Sequence, residues 1–236
     1  MVQLKSMFKG AVLMNHDCYL TREDSILALK KMKKFHDECQ LLYERHGFDL
    51  LDNLGRRNIL MSQAQEKFFA ESLSEKFMNV KNDGHTGEPD IFIGELDKEL
   101  ECKLTSRTKS GAISFQTDYS TLQDKKSLDY LYVVASENFD EFAVVHYRGL
   151  TVEEFRPPAA GSRGKSQLIK HKAADKGNIL LGSMISVNNR EIQKLKRKLE
   201  KTKTTQKSIR KKLLKSLEFW ESTPTKYTFK LESVNE

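Results

Sequence analysis

The sequence predicts a mixed α/β fold: a central mixed sheet flanked by helices, with helical additions at both ends. Three observations predict it. Apolar residues recur at three- and four-residue steps around residues 26–42, 62–78 and 188–219, the periodicity of amphipathic helices. Two short apolar runs, 91–93 and 100–104, flank a polar turn at Leu96-Asp97-Lys98, the pattern of an antiparallel hairpin. Residues 128–135 (Leu-Asp-Tyr-Leu-Tyr-Val-Val-Ala) form a continuous β-branched and aromatic run expected of a buried strand, and 141–148 reads as another.

Taken in order, residues 1–20 read as a short strand or an irregular lead-in. Thr21-Arg22-Glu23-Asp24 has the form of a capping box with Asp in place of Glu, opening a helix that buries Ile26, Leu29, Met32, Phe35, Cys39 and Leu42 and stops at Gly47. Lys30, Lys31, Lys33 and Lys34 fall on its solvated side. A second helix is expected over 62–78, with Phe68, Phe69, Leu73 and Phe77 as its stripe. The 82–87 segment is a turn into the hairpin. A polar, basic loop (105–111) follows the hairpin, and 114–126 reads as a helix containing Gln116, Tyr119 and Leu122. Two prolines and two glycines punctuate 156–165, which continues neither strand nor helix. Residues 188–219 form one long helix or two joined helices, weakened at the Thr-rich 202–206. The reading leaves open whether they make a projecting dimerisation or packing arm or lie on the core. Residues 225–231 alternate as a closing strand. The expected organisation is a helical segment over 1–60, a core over 61–156, and a basic loop with a helical arm and closing strand over 157–236, packed on the core.

At 236 residues and 38% hydrophobic content the chain can bury one real core. It contains no run of about eighteen apolar residues, so no spanning helix is expected. The first residues lack the apolar stretch of a signal peptide. Cys18, Cys39 and Cys102 are widely spaced, so neither a disulfide framework nor a zinc site is indicated, and a reducing cytoplasm is the expected setting. The net charge of +7 is polarised: residues 1–160 carry 21 Lys+Arg against 26 Asp+Glu, whereas 161–236 carry 19 against 7. A polyanion partner for the C-terminal part follows, and nucleic acid fits better than a membrane surface because the basic stretch lacks an aromatic, leucine-rich opposite face.

The chemistry concentrates in the hairpin. Asp90 opens the first strand, while Glu101 and Lys103 stand two apart on the second and leave the same face. Pairing around the turn brings Asp90 near Glu101, so two carboxylates and an ammonium converge. Oxygen ligands of this kind suit a hard divalent cation such as Mg²⁺, and a nearby lysine can orient a water for attack on a phosphodiester. Cys102 should face the core.

Pro89-Asp90, ten intervening residues, then Glu101-Cys102-Lys103 resembles the motif of the PD-(D/E)XK nuclease superfamily, to which most type II restriction endonucleases, junction resolvases and several repair nucleases belong. The resemblance covers about residues 60 to 136. It implies a restriction-endonuclease-like α-β-β-β-α-β core, one of whose strands the sequence does not display. It also implies Mg²⁺ as cofactor, held by Asp90, Glu101 and the Cys102 carbonyl, with Lys103 as the water-positioning group. A glutamate on the preceding helix, Glu66 or alternatively Glu71, would join the site, and Gln116 would lie near it. Arg107, Lys109, Ser162, Arg163, Lys165, Lys170 and Lys172 are the candidate phosphate or base contacts. Gly164-Lys165-Ser166 is no nucleotide-binding P-loop, because the upstream glycine spacing is absent. The expected function is a Mg²⁺-dependent, sequence-specific DNA endonuclease acting as a homodimer on double-stranded DNA. A junction-resolving or repair nuclease, a non-catalytic DNA-binding protein on the same scaffold, and an RNA-binding or coiled-coil interaction protein are the other readings.

Overall fold

A computed structural model of the chain describes residues 18–82, 84, 88–107, 113–158 and 164–234. Helix α1 (Arg22–Arg45) starts at the predicted capping box: the Thr21 hydroxyl accepts from the Asp24 amide and the Asp24 carboxylate accepts from the Thr21 amide. Its buried stripe is Ala28, Leu29, Met32 and His36. It ends at Gly47, whose φ of +75° lets the chain reverse while the Gly47 and Phe48 amides return to the Glu44 and Tyr43 carbonyls.

Helix α2 (Leu54–Ser74) begins eight residues before the predicted position and ends four earlier. Asn53 caps it by accepting from the Arg56 amide. Its first turns carry a glycine and two arginines and show no apolar stripe, because a charged residue does the packing. Arg57 is fully buried, with its guanidinium against the Phe139 ring and donating to Ser106 Oγ at 2.7 Å and to the Glu137 carbonyl. At the other end Asn79, at φ +59°, turns the chain into a short strand that the sequence did not display.

That strand is β1 (Val80–Lys81), followed by β2 (Ile91–Ile93), β3 (Lys98–Ser106), β4 (Gln116–Asp118), helix α3 (Tyr119–Lys125), β5 (Leu128–Ala135) and β6 (Glu141–Leu150). Then come β7 (Lys165–Gln167), β8 (Gly177–Leu181), β9 (Ser183–Ser186), helices α4 (Val187–Lys201) and α5 (Lys207–Ser222), β10 (Tyr227–Lys230) and β11 (Glu232–Ser233). The central sheet has the order β1-β2-β3-β5-β6-β11, with β8 also paired to β6. Strands β3 and β5 are parallel, joined by the crossover that contains α3, and the other pairs are antiparallel. The fold is therefore mixed α/β with a mixed sheet, and the stretch from α2 to β5 supplies a helix, three strands of the central sheet, the short strand β4 outside that sheet, a helix and a further sheet strand in that order. The C-terminal stretch adds β8 and β11 to the same sheet.

Period-two alternation on β3, β5 and β6 builds two cores. Cys102, Leu131, Val133 and Val144 face α1 and α2, where Leu29, Met32, Phe69 and Leu73 cover them. Tyr130, Tyr132, Val145 and Tyr147 face the other way, packing with Phe115, Leu122, Phe155 and Phe229.

The predicted helix over 114–126 is corrected. Only its second half is helical, with Asp118 capping α3 through the Ser120 amide. The first half is extended because Phe115 stacks on Tyr132 at 4.2 Å and Thr117 is buried against the Tyr130 hydroxyl, contacts that residues two apart make from the same side of an extended chain. The C-terminal helical stretch is two helices broken at Thr202–Gln206, and only Asn188 is buried among their residues, so the pair projects from the sheet rather than lying on it.

Candidate active site

Strands β2 and β3 pair with Ile91 opposite Leu100, a register that continued by one residue sets Asp90 opposite Glu101. The two carboxylates and Lys103 do converge. Lys103 Nζ lies 2.5 Å from Glu101 Oε1 and 3.5 Å from Asp90 Oδ2. Asp90 is held from behind: its Oδ2 accepts from the Cys102 amide at 2.7 Å, and its own carbonyl accepts from Asn82 Nδ2 at 2.7 Å. In a strand the N–H and C=O of one residue leave the same edge, so the Cys102 carbonyl also turns toward Asp90. The Cys102 side chain is buried in the α1–α2 core. That burial, with Asp90 and Glu66 nearby, pushes its thiol well above the ordinary range and leaves it no nucleophile.

A cleft of about 540 Å³ opens here, lined by Asp90, Lys103 and Thr105 from the hairpin side, by Asn58, Ser62 and Glu66 of α2, and by Gln116 and Lys165 opposite. The structure decides between the two glutamates. Glu66 lines the cleft, whereas Glu71 pairs with Lys31 of α1 at 2.9 Å. Gln116 reaches the cleft from β4 rather than from a helix. Tyr132 donates to the Gln116 carbonyl at 3.1 Å and the Tyr130 hydroxyl bonds Thr117 at 2.8 Å, so the tyrosines opposite Lys103 and Glu101 on β5 hold β4 over the site. Strand β4 in turn pairs with β7, Asp118 opposite Lys165, which carries Lys165 to the rim.

The other basic candidates separate. Arg107 donates to the Phe229 carbonyl, and Lys170 donates to the Ile113 carbonyl at 2.5 Å beneath the Phe115 ring; both line a neighbouring groove. Lys172 is exposed and bonds the Glu153 carbonyl at 3.3 Å. Lys109, Ser162 and Arg163 lie outside the described residues. The reading of the sequence missed Asn58, Asn82, Tyr130 and Tyr132 as supports of the site. The alternation of Tyr130 with Tyr132 opposite the Glu101-x-Lys103 strand was the one usable signal.

The electrostatics are those of crowded, half-buried carboxylates. Burial, reinforced by Asp90, raises Glu66 to about 7, against the pull of Lys103 and a hydrogen bond from Asn82. Burial also raises Glu101, although Lys103 draws it back. For Lys103 burial disfavours the charge, but Glu101 and Asp90 outweigh it and hold the ammonium above its ordinary range. Among the described residues, no three His, Cys, Asp or Glu side chains form a ready-made metal cage. The donors are nonetheless all hard oxygens: Asp90, Glu101, Glu66 and the Cys102 carbonyl. The raised values of Glu66 and Glu101 mark negative charge short of solvation, which a divalent cation that keeps several waters would relieve.

No family model matches the chain, and neither a curated protein nor a solved structure matches it. No helix among the described residues is long and apolar enough to cross a membrane.

Proposed function

We propose that this protein is a Mg²⁺-dependent DNA endonuclease of the restriction type, hydrolysing phosphodiester bonds in double-stranded DNA as a homodimer. The observation that carries the reading is the convergence of Asp90, Glu101 and Lys103 at one end of the β2–β3 hairpin, with Glu66 facing them across the cleft. The order around them supports it: a helix and three strands of the central sheet, then, after the short strand β4 outside that sheet, a helix and a sheet strand, close to the order expected of a restriction-endonuclease-like core.

Asp90, Glu101 and the Cys102 carbonyl would hold the metal, which when bound supplies Lewis-acid stabilisation of the phosphate. Lys103 stays protonated at neutral pH, so its role is to donate: it orients the attacking water and stabilises charge building on the phosphate oxygens. Glu66, ionising near 7, is the cleft group suited to accept the proton of that water. Water oxygen bonds to phosphorus as the bond to the 3′ oxygen breaks, and the leaving oxygen takes a proton from solvent. The products are a 5′-phosphate and a 3′-hydroxyl. A cut through both strands requires two sites, hence a two-fold pair on a symmetric target.

The test is incubation of the purified protein with plasmid and phage DNA in Mg²⁺ and in EDTA, read on a gel. Discrete Mg²⁺-dependent fragments are expected, and Lys103→Ala should lower their rate by roughly 10²–10³-fold without changing the far-ultraviolet circular dichroism. Cleavage of branched but not linear duplex would instead indicate a junction-resolving nuclease. Binding without cleavage would indicate a non-catalytic scaffold.

A further inference from the structure

Beside the cleft lies a second concavity of about 840 Å³ with a different chemistry. Arg107, Arg156, Lys170, Arg190, Lys226 and Lys230 line it, and no Asp or Glu is among its described lining residues. Its floor is apolar, formed in part by Phe229, Leu168 and Ile113. Arg190 stands in the first turns of α4 and Lys226 just before β10, and both are exposed. Buried Asn188 fixes the two relative to each other: its Oδ1 accepts from the Lys226 amide at 2.9 Å, while its Nδ2 donates to the carbonyls of Thr223 at 2.9 Å and Trp220 at 3.2 Å. The cations are thus presented from a rigid base where the helical pair leaves the sheet.

Two chain segments run from the cleft into this groove. On β3, Glu101, Lys103, Thr105 and Arg107 alternate onto one face; Lys103 and Thr105 line the cleft and Arg107 lines the groove. On the other side, Lys165 of β7 lines the cleft and Lys170 the groove. At about 3.3 Å per extended residue, these steps of four and five residues span at most about 13 and 17 Å. One strand of duplex DNA advances about 3.4 Å per phosphate. Because this rise is the smallest possible step between phosphates, the two concavities lie within about five nucleotides of each other.

We propose that this acid-free groove is the seat of the DNA backbone within about five nucleotides of the phosphate in the cleft, a sequence-independent contact that positions the duplex. The proposal rests on the nuclease reading for the occupant of the cleft. The cations that continue along both segments, Lys103 to Arg107 and Lys165 to Lys170, favour a polyphosphate running through both concavities over an acidic protein segment docked in one.

The experiment measures binding of the full chain to a duplex of roughly 30 base pairs in EDTA, across a salt series, with cleavage in Mg²⁺ scored separately. The double variant Arg190→Gln/Lys226→Gln removes two exposed charges and should reduce the slope of log affinity against log salt by about 1.8, two contacts at about 0.9 each. Lys30→Gln/Lys34→Gln removes two exposed charges on the solvated side of α1 and should leave the slope unchanged. An unchanged slope in the Arg190→Gln/Lys226→Gln variant with an unchanged melting temperature overturns the groove, and so does an equal change from Lys30→Gln/Lys34→Gln. Equal loss of affinity for polyglutamate overturns it in favour of an acidic protein partner. Wild-type protein that never cleaves, while the Arg190→Gln/Lys226→Gln variant loses slope as expected, leaves the groove standing and removes the nuclease reading instead.

Discussion

Two polar clusters lie on opposite faces of the same sheet, and they are solved differently. On the α1–α2 face, Asp129 of β5 accepts from the Tyr19 hydroxyl at 3.0 Å and from the Gly149 amide at 2.7 Å. His146 of β6 lies 3.9 Å from it, edge-on to the Tyr19 ring, and is held neutral: burial, with Arg148 adding to it, lowers the imidazole to about 4 against the pull of Asp129. There a single carboxylate meets fixed neutral donors. On the opposite face Glu101 and Asp90 share one lysine with Glu66 nearby, and burial raises the Glu66 and Glu101 carboxyls. A buried carboxylate with dedicated donors is a structural part, whereas carboxylates crowded together beside a cleft await a cation or a proton.

This contrast can be broken or sharpened by substitution. After Lys103→Ala, the largest effect on chemistry is expected from Glu66→Gln, which should cost roughly 10²-fold in Mg²⁺-dependent cleavage. It should also remove the rise of wild-type activity with pH: the carboxyl must ionise to act, so wild-type cleavage climbs as pH approaches about 7 and levels off above it. A pH–rate profile of both proteins checks the sign.

In the other cluster, Asp129→Ala leaves the Tyr19 hydroxyl and Gly149 amide without their acceptor. It should cost about 3 kcal/mol, seen as a melting temperature lower by roughly 6–12 °C, with no change in salt dependence of DNA binding.

His146 gives a smaller, pH-limited effect. Its folded value is depressed below the unfolded 6.5, so its contribution to stability is complete above 6.5 and is lost as pH falls toward about 4. Melting curves of wild type and His146→Leu should therefore converge on acidification through that window. Divergence would mean that the imidazole is charged in the fold.

The smallest effect belongs to Glu71→Ala. Its partner Lys31 is an exposed surface pair, so stability should change by less than about 1 kcal/mol and cleavage not at all. Loss of activity in Glu71→Ala with retention in Glu66→Gln would reverse the assignment of the two glutamates.

What the sequence determined by itself was whatever is written in local periodicity and short-range pairing. The capping box at Thr21, the hairpin whose register brings Asp90 toward Glu101 and Lys103, the buried strand over 128–135 and the weak point at 202–206 all depend on residues a few positions apart. Tertiary structure decided the rest, because it depends on partners far along the chain. Helix α2 starts early because Arg57 finds Ser106 and Glu137 some 49 and 80 residues away, where an apolar stripe would otherwise have announced the helix. Gln116 sits on a strand because Tyr130 and Tyr132 claim its neighbourhood. Glu66 and Glu71, five residues apart on one helix, point to different neighbours, and only the packing of α2 between α1 and β3 chooses which meets the cleft. The basic residues of 157–236 were visible as composition. Only the fold sorted Lys165 into the cleft and gathered Arg107, Lys170, Arg190 and Lys226 into one acid-free groove, since charge carries no address until the backbone brings it together.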